Sequence, residues 1–158
     1  MSLSSNIVGM HYRHPEHYIV GREKIREYAV AVKNDDLAFF DEQAAAELGH
    51  DALVAPLTFI SVFGYQAQSA FFADANIGIT DAQIVQVDQV LKFMAPIKAG
   101  DTLHCDVIVD SVRQAHSTDI IVTKNIITND AGDVVQESYT TLAGRSGDGE
   151  EGFSDGAA

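Results

Sequence analysis

Apolar residues recur at three- and four-residue spacings over the first half of the chain and in short β-branched runs over the second half, so a helical part is followed by a strand-rich part. Between Gly21 and Asn34, the residues Ile25, Tyr28, Ala29 and Val32 fall on one stripe, which predicts an amphipathic helix. A shorter helix is predicted over Asp41 to Leu48, with Asp41 in its first turn and Gly49 just past its end. In Ala55-Pro56-Leu57-Thr58 the proline holds its predecessor extended, and Thr58 is placed to cap a third helix. This helix, about Thr58 to Ala73, carries Phe59, Ile60, Phe63, Tyr65, Phe71 and Phe72 on nearly every side and is expected to be buried all round. At about 1.5 Å per residue it spans roughly 24 Å, enough to cross a small domain.

Beyond Asn76 the runs Ile84 to Phe93, Thr102 to Val112, Asp119 to Thr128 and Val134 to Ala143 read as four strands, with a further short one near His17 to Val20. Ala99-Gly100-Asp101 and Asn129 to Asp133 supply turn chemistry between them, which favours antiparallel neighbours. An apolar helix followed by such strands predicts a layered α+β fold, in which an antiparallel sheet curls around a long central helix. Residues 1–145 form one domain on this reading. From Ser146 to the end the chain is rich in glycine and acid with one large apolar residue, Phe153, so residues 146–158 are expected to be a disordered acidic tail.

Composition narrows the function. The 158 residues are 46% hydrophobic and 21% charged, sufficient for one real core. A formal net charge of −13, with no run of Lys or Arg, argues against nucleic-acid partners. Arg22, Lys24, Arg26 and Lys33 are interleaved with Glu23 and Glu27, which reads as a solvated helix face. No apolar run reaches the roughly 20 residues that cross a bilayer, and no signal pattern opens the chain, so no membrane span and a cytoplasmic location are expected. The one cysteine, Cys105, lies in a predicted strand and reads as a small buried hydrophobe.

Candidate chemistry is sparse. His11, His14 and His17 are three apart, but Pro15 interrupts any helix that would align them and no cysteine accompanies them. There is also no Gly-rich phosphate loop, so neither a metal nor a nucleotide cofactor is expected. Asp35 and Asp36 sit between two predicted helices, where aspartate commonly caps a turn; the alternative is a catalytic carboxylate working with His50. On the long helix Ser61, Tyr65 and Gln68 share a face, which makes them candidates for lining a channel; Tyr65 as a core aromatic with a satisfied hydroxyl is the other reading. In Gln86-Val87-Asp88-Gln89, alternation sends Gln86 and Asp88 to one face and Gln89 to the other. These polar groups and Asn125 need partners if buried, whether a ligand, a second subunit or a neighbouring strand.

The stretches IVGMHYRHPEHY, REKIREYAVAV, LVAPLTFISVFGYQAQSAFF, QIVQVDQVLKF, TKNIITN, YTTLAGR and GFSDGAA, which together run through nearly the whole chain, resemble the MaoC-like hydratase and dehydratase family of hot-dog proteins. The resemblance is greatest to the A-type subunits of the mycobacterial (3R)-hydroxyacyl-ACP dehydratases of type II fatty acid synthesis. It implies a hot-dog fold and a heterodimer with a catalytic B subunit. It also implies delivery of a long-chain 3-hydroxyacyl thioester by acyl carrier protein, in the elongation cycle that supplies mycolic acid precursors. Active members of the family carry an Asp and, five residues later, a His, a pair able to share the proton transfers of dehydration. Aligned through the following helix, those positions fall on Asn34 and Phe39, or on Asp35 and Phe40 in the neighbouring register; a phenylalanine replaces the histidine in both. The resemblance therefore implies a catalytically silent copy, with Ser61, Tyr65, Gln68, Gln86, Gln89 and Asn125 as substrate-binding candidates. An active homodimeric hydratase or thioesterase, and a non-enzymatic acyl-binding protein, are the competing expectations.

Overall fold

A computed structural model describes residues 5–79, 84–145 and 153–154. Two short strands, β1 (His11–Arg13) and β2 (Tyr18–Ile19), precede α1 (Arg22–Ala31) and α2 (Glu42–Glu47). The long helix α3 (Ser61–Asp74) is followed by β3 (Gly78–Ile79), β4 (Ile84–Phe93), β5 (Thr102–Ala115), β6 (Thr118–Asn129), β7 (Val134–Arg145) and β8 (Phe153–Ser154). The main sheet has six antiparallel strands in the order β1-β5-β6-β7-β4, with β2 also on β5. It wraps α3 in the hot-dog arrangement, an α+β architecture.

Strict alternation builds the inner face. Along β5, Leu103, Cys105, Val107 and Val109 are buried at every second position, and Ile121 and Ile127 continue that face on β6. Against them α3 lays Phe63, Ala67, Phe71 and Phe72. Tyr18 stacks on Phe63 at 5.4 Å between ring centroids, and Tyr28 of α1 meets Phe59 edge-on at 5.5 Å. These rings bury large apolar areas and prefer such offset or tilted geometry.

The hairpin between β5 and β6 turns at His116-Ser117, both at positive φ, as a two-residue turn between right-twisted strands requires. Neither residue is a glycine, so the turn left no mark in the composition, and both strands run farther toward it than the sequence reading. Gly132 at φ 84 closes the β6–β7 connection, with Asp133 N–H donating to Asn129 Oδ1 at 2.9 Å.

Four local expectations need correction. The helix α3 is not buried all round: Ser61, Tyr65, Gln66 and Ser69 are exposed, Tyr65 by 72%, because the sheet covers one side of the helix and no described element covers the other. Tyr65 is therefore not a core aromatic. Val32 falls at the C-cap of α1, where the helix ends, and is exposed. Thr58 does not cap α3, which begins after a turn at Ile60; its carbonyl and Oγ1 instead face the Tyr28 hydroxyl at 2.9 and 2.8 Å. The fourth correction concerns β4, where Val87 is the extra residue of a bulge: Gln86 pairs with Leu142 and Asp88 with Thr141. A bulge resets alternation, so Gln86 and Gln89 share the inner face.

Most of the expected disordered tail lies outside the described residues. Within it, Phe153–Ser154 pair with Gly78–Ile79, so these two residues are extended and bonded where composition alone offers no reason for order. Among the described residues no helix is long and apolar enough to cross a membrane.

Candidate functional site

Beside α3, away from the apolar β5 side, lies a cavity of about 750 Å³, within the range of small-molecule sites. Ser61, Tyr65 and Gln68 border it from the helix, Gln86 and Gln89 from β4, and Asn125 from β6, so six positions scattered over 65 residues of sequence meet around one space. Gly64, Ser69, Ser138 and Thr140 also line it. None of these four is among the site candidates read from the sequence, where Gly64 marks only a close approach of other backbone, although the alternation of Ser138, Thr140 and Leu142 along β7 is a readable signal: small polar residues occupy inward positions of a strand.

Two contacts tie this wall to the helix. Asn125 Nδ2–H donates to the Gly64 carbonyl at 3.3 Å, and Thr123 Oγ1 donates to Gln68 Oε1 at 3.5 Å. Gly64 leaves room for the first, since a Cβ there would stand 3.3 Å from Asn125 Nδ2 and press the amide back by a few tenths of an ångström. The Gly64 carbonyl also fixes which end of the Asn125 amide faces the helix. Asn125 Oδ1 is left buried with no hydrogen-bond partner, in a residue only 3% exposed.

A second, smaller cleft of about 340 Å³ lies between His50, Pro56 and Leu57 on one side and Phe93, Met94 and Gln136 on the other. The positions aligned with the family's Asp and His stand apart from both spaces. Asn34 Oδ1 accepts from the Asp36 N–H at 3.2 Å, and Asp36 Oδ1 accepts from the Ala38 N–H at 3.0 Å, capping a short 3-10 turn over Leu37–Phe39. Phe39 is half-buried against the core cluster. Asp35 and Asp36 share no hydrogen bond or ion pair with the His50 ring among the described residues.

The three N-terminal histidines go to three different neighbours. His11 Nε2 meets Asp106 Oδ1 at 2.7 Å, His14 packs on Phe63 with centroids 5.8 Å apart, and His17 lies 6.2 Å from the His104 ring. Among the described residues no group of three His, Cys, Asp or Glu is placed to hold a metal ion. The basic residues of α1 are largely neutralised: Arg22 pairs with Glu23 and Glu42, Arg26 with Glu23, and Lys24 with Glu27.

The chain belongs to the family described as FAS1-like, dehydratase domain region, whose model matches residues 6–138. Among its relatives, the UPF0336 protein Rv0635 of Mycobacterium tuberculosis is 72% identical over 158 residues, the whole of both chains. A solved chain from the C-terminally truncated HadBC (3R-hydroxyacyl-ACP dehydratase) complex of the same species is 49% identical, with a TM-score of 0.82, over 90% of this chain and all of that one. A MaoC-like dehydratase is 38% identical at the same TM-score, over 90% of this chain and 43% of that longer one. The class is thus a MaoC-like hot-dog dehydratase.

Proposed function

We propose that this chain is the substrate-channel subunit, of the HadA type, of a heterodimeric (3R)-hydroxyacyl-ACP dehydratase, a hydro-lyase forming trans-2-enoyl-ACP. The observation that carries the reading is Phe39. Where active relatives would present a histidine, this chain sets a phenyl ring against its core, and a phenyl ring moves no proton. Asn34 supports it, since its side-chain oxygen is spent on the Asp36 backbone N–H. The catalytic Asp and His then belong to a partner subunit, and the large cavity beside α3 receives the acyl chain. Each buried methylene adds roughly 0.8 kcal/mol, so an extended cavity selects long chains.

The edge of the sheet fits a partner. Among the described residues β4 is bonded on one side only, to β7, and exposes Val85, Val87, Val90 and Phe93. A bare, apolar edge strand invites pairing with another chain. Acyl carrier protein delivers the thioester on this reading, and the reaction takes place in the cytoplasm with no cofactor.

The test is dehydration of a long-chain 3-hydroxyacyl thioester by this chain alone, by the catalytic subunit alone, and by the mixture. Activity that needs the mixture supports the proposal. Full turnover by this chain as a homodimer overturns it in favour of an active hydratase using Asp35 or Asp36, which the double change to Asn would then silence.

A further inference from the structure

The cavity beside α3 has a direction, which strand register gives it. Asn125 of β6 touches Gly64, and Thr123 touches Gln68 one helical turn on. Next along β6, Ile121 pairs with Leu142, which lines the cavity together with Phe72 and Ala73 near the C-terminal end of the helix. Past that end the lining continues through Ile77 and Ile84, with Gln86 paired opposite Leu142. From Ser61 to Ala73 the helix follows the cavity for twelve residues, about 18 Å.

The C-terminal part of the chain is anchored on both flanks of this far end. Strand β7 ends at Arg145, and Gly144 just before it pairs with Ile84. Eight residues beyond Arg145, Phe153 pairs with Ile79 and Ser154 with Gly78, directly after Ile77. Ile77 is itself 6% exposed, and its N–H donates to the Phe72 carbonyl at 2.9 Å, which ties it to α3. The chain thus leaves the strand that holds Ile84 and bonds next to the segment that carries Ile77. The β3–β8 ladder is only two residue pairs long. So short a two-stranded ribbon is marginal in water, and the acidic, Gly-rich composition after Arg145 cannot repay its own ordering. The contact therefore opens at small cost.

We propose that β8 is a strap across the Ile77 and Ile84 end of the cavity, and that it sets the longest acyl chain the cavity accepts until the β3–β8 ladder parts. The inference rests on the reading of the cavity as an acyl channel. A chain entering beside Tyr65 and Gln68 gains affinity as it buries apolar surface, about fourfold for each methylene, until its methyl end meets the strapped segment. Further methylenes must stay in water or part the ladder. In the first case they add nothing, and in the second part of their gain is spent on opening it.

The experiment compares three full-length chains by calorimetric titration with decanoic, tetradecanoic, octadecanoic and docosanoic acids, with and without the catalytic subunit. The first is the parent. In the second, Phe153→Pro with Ser154→Pro removes both backbone donors that β8 can give to the ladder, at unchanged length and charge. In the third, Gly78→Cys with Ser154→Cys locks it, since residues directly opposite on an antiparallel ladder stand about 4.5–5.5 Å apart between Cα atoms, within reach of a disulfide. Parent affinity is expected to rise with chain length and level off before docosanoic acid. The proline variant should match the parent for decanoic acid within about twofold and bind docosanoic acid at least about tenfold tighter, the worth of two further buried methylenes. The oxidised disulfide variant should level off no later than the parent, and reduction should restore the parent's behaviour. The same limit in all three chains, no limit in the parent, or a gain in the proline variant equal at every length overturns the strap and leaves the acyl channel standing. A disulfide that forms only between two copies also overturns it. Binding of none of the acids, with or without the catalytic subunit, overturns both.

Discussion

Replacing Gly64 by alanine tests the contact between helix and sheet from which the cavity is built. Two terms oppose each other. In a helix interior alanine is favoured over glycine by roughly 0.8–1 kcal/mol, because glycine loses more backbone entropy on folding. The added Cβ stands 3.3 Å from Asn125 Nδ2, so the amide must retreat by a few tenths of an ångström. That retreat stretches a hydrogen bond already 3.3 Å long, forfeiting at most about 1 kcal/mol. Asn125 borders the open cavity, so it has room to give way without displacing packed atoms. The expected sum is within about 0.5 kcal/mol of zero by these two estimates. Gly64→Val differs: its branched side chain drives the amide off its acceptor, strands a buried N–H, and is expected to cost about 2–3 kcal/mol. Urea denaturation followed by far-ultraviolet circular dichroism measures both, since the chain has no tryptophan. A loss above about 2 kcal/mol for Gly64→Ala would refute the reasoning, because Asn125 would then be pinned and the wall rigid.

The other predictions address the core, the edge and the buried thiol. Phe63→Ala removes the ring on which Tyr18 and His14 pack and is expected to cost about 3–5 kcal/mol in the same denaturation assay. Val85→Lys with Val87→Lys places charge on an exposed edge, so the isolated chain should melt within a few degrees of the parent. In sedimentation, however, association with a catalytic subunit should weaken by about 30-fold per site, from roughly 2 kcal/mol of apolar burial each. Unaltered association would exclude β4 as the interface. Burial, with Asp106 adding to it, pushes the Cys105 thiol up to about 12 from its ordinary 9.0. Between those values the folded chain keeps a proton that the unfolded chain loses, so stability falls as pH rises through that window. Cys105→Ala should flatten this slope in melts taken from pH 9 upward, and an unchanged slope would show that another group causes it.

Most of the framework was legible before any coordinates. Strand β4 falls where its β-branched run begins and ends, Asp41 caps α2 through its side chain at 2.9 Å from Ala44 N, and the α1 stripe buries Ile25 and Ala29. Ser61, Tyr65, Gln68, Gln86, Gln89 and Asn125 were singled out as polar positions in apolar runs, and all six border one cavity. That their role is to bind substrate remains the proposal made above.

Sequence by itself determined periods, punctuation and the chemistry each position offers, because these depend on neighbours within a few residues. Tertiary structure alone decided what depends on distant partners. The bulge at Val87 exists through pairing with β7, and it turned Gln89 inward against the alternation of its own strand. Strand β1, three residues long, is a strand because β5 is there to bond it. Thr58 took Tyr28 as its partner in place of the helix it was placed to cap. The helix α3, apolar enough for burial on every side, keeps one face exposed among the described residues, and the cavity lies between the helix and the polar inward positions of β4, β6 and β7.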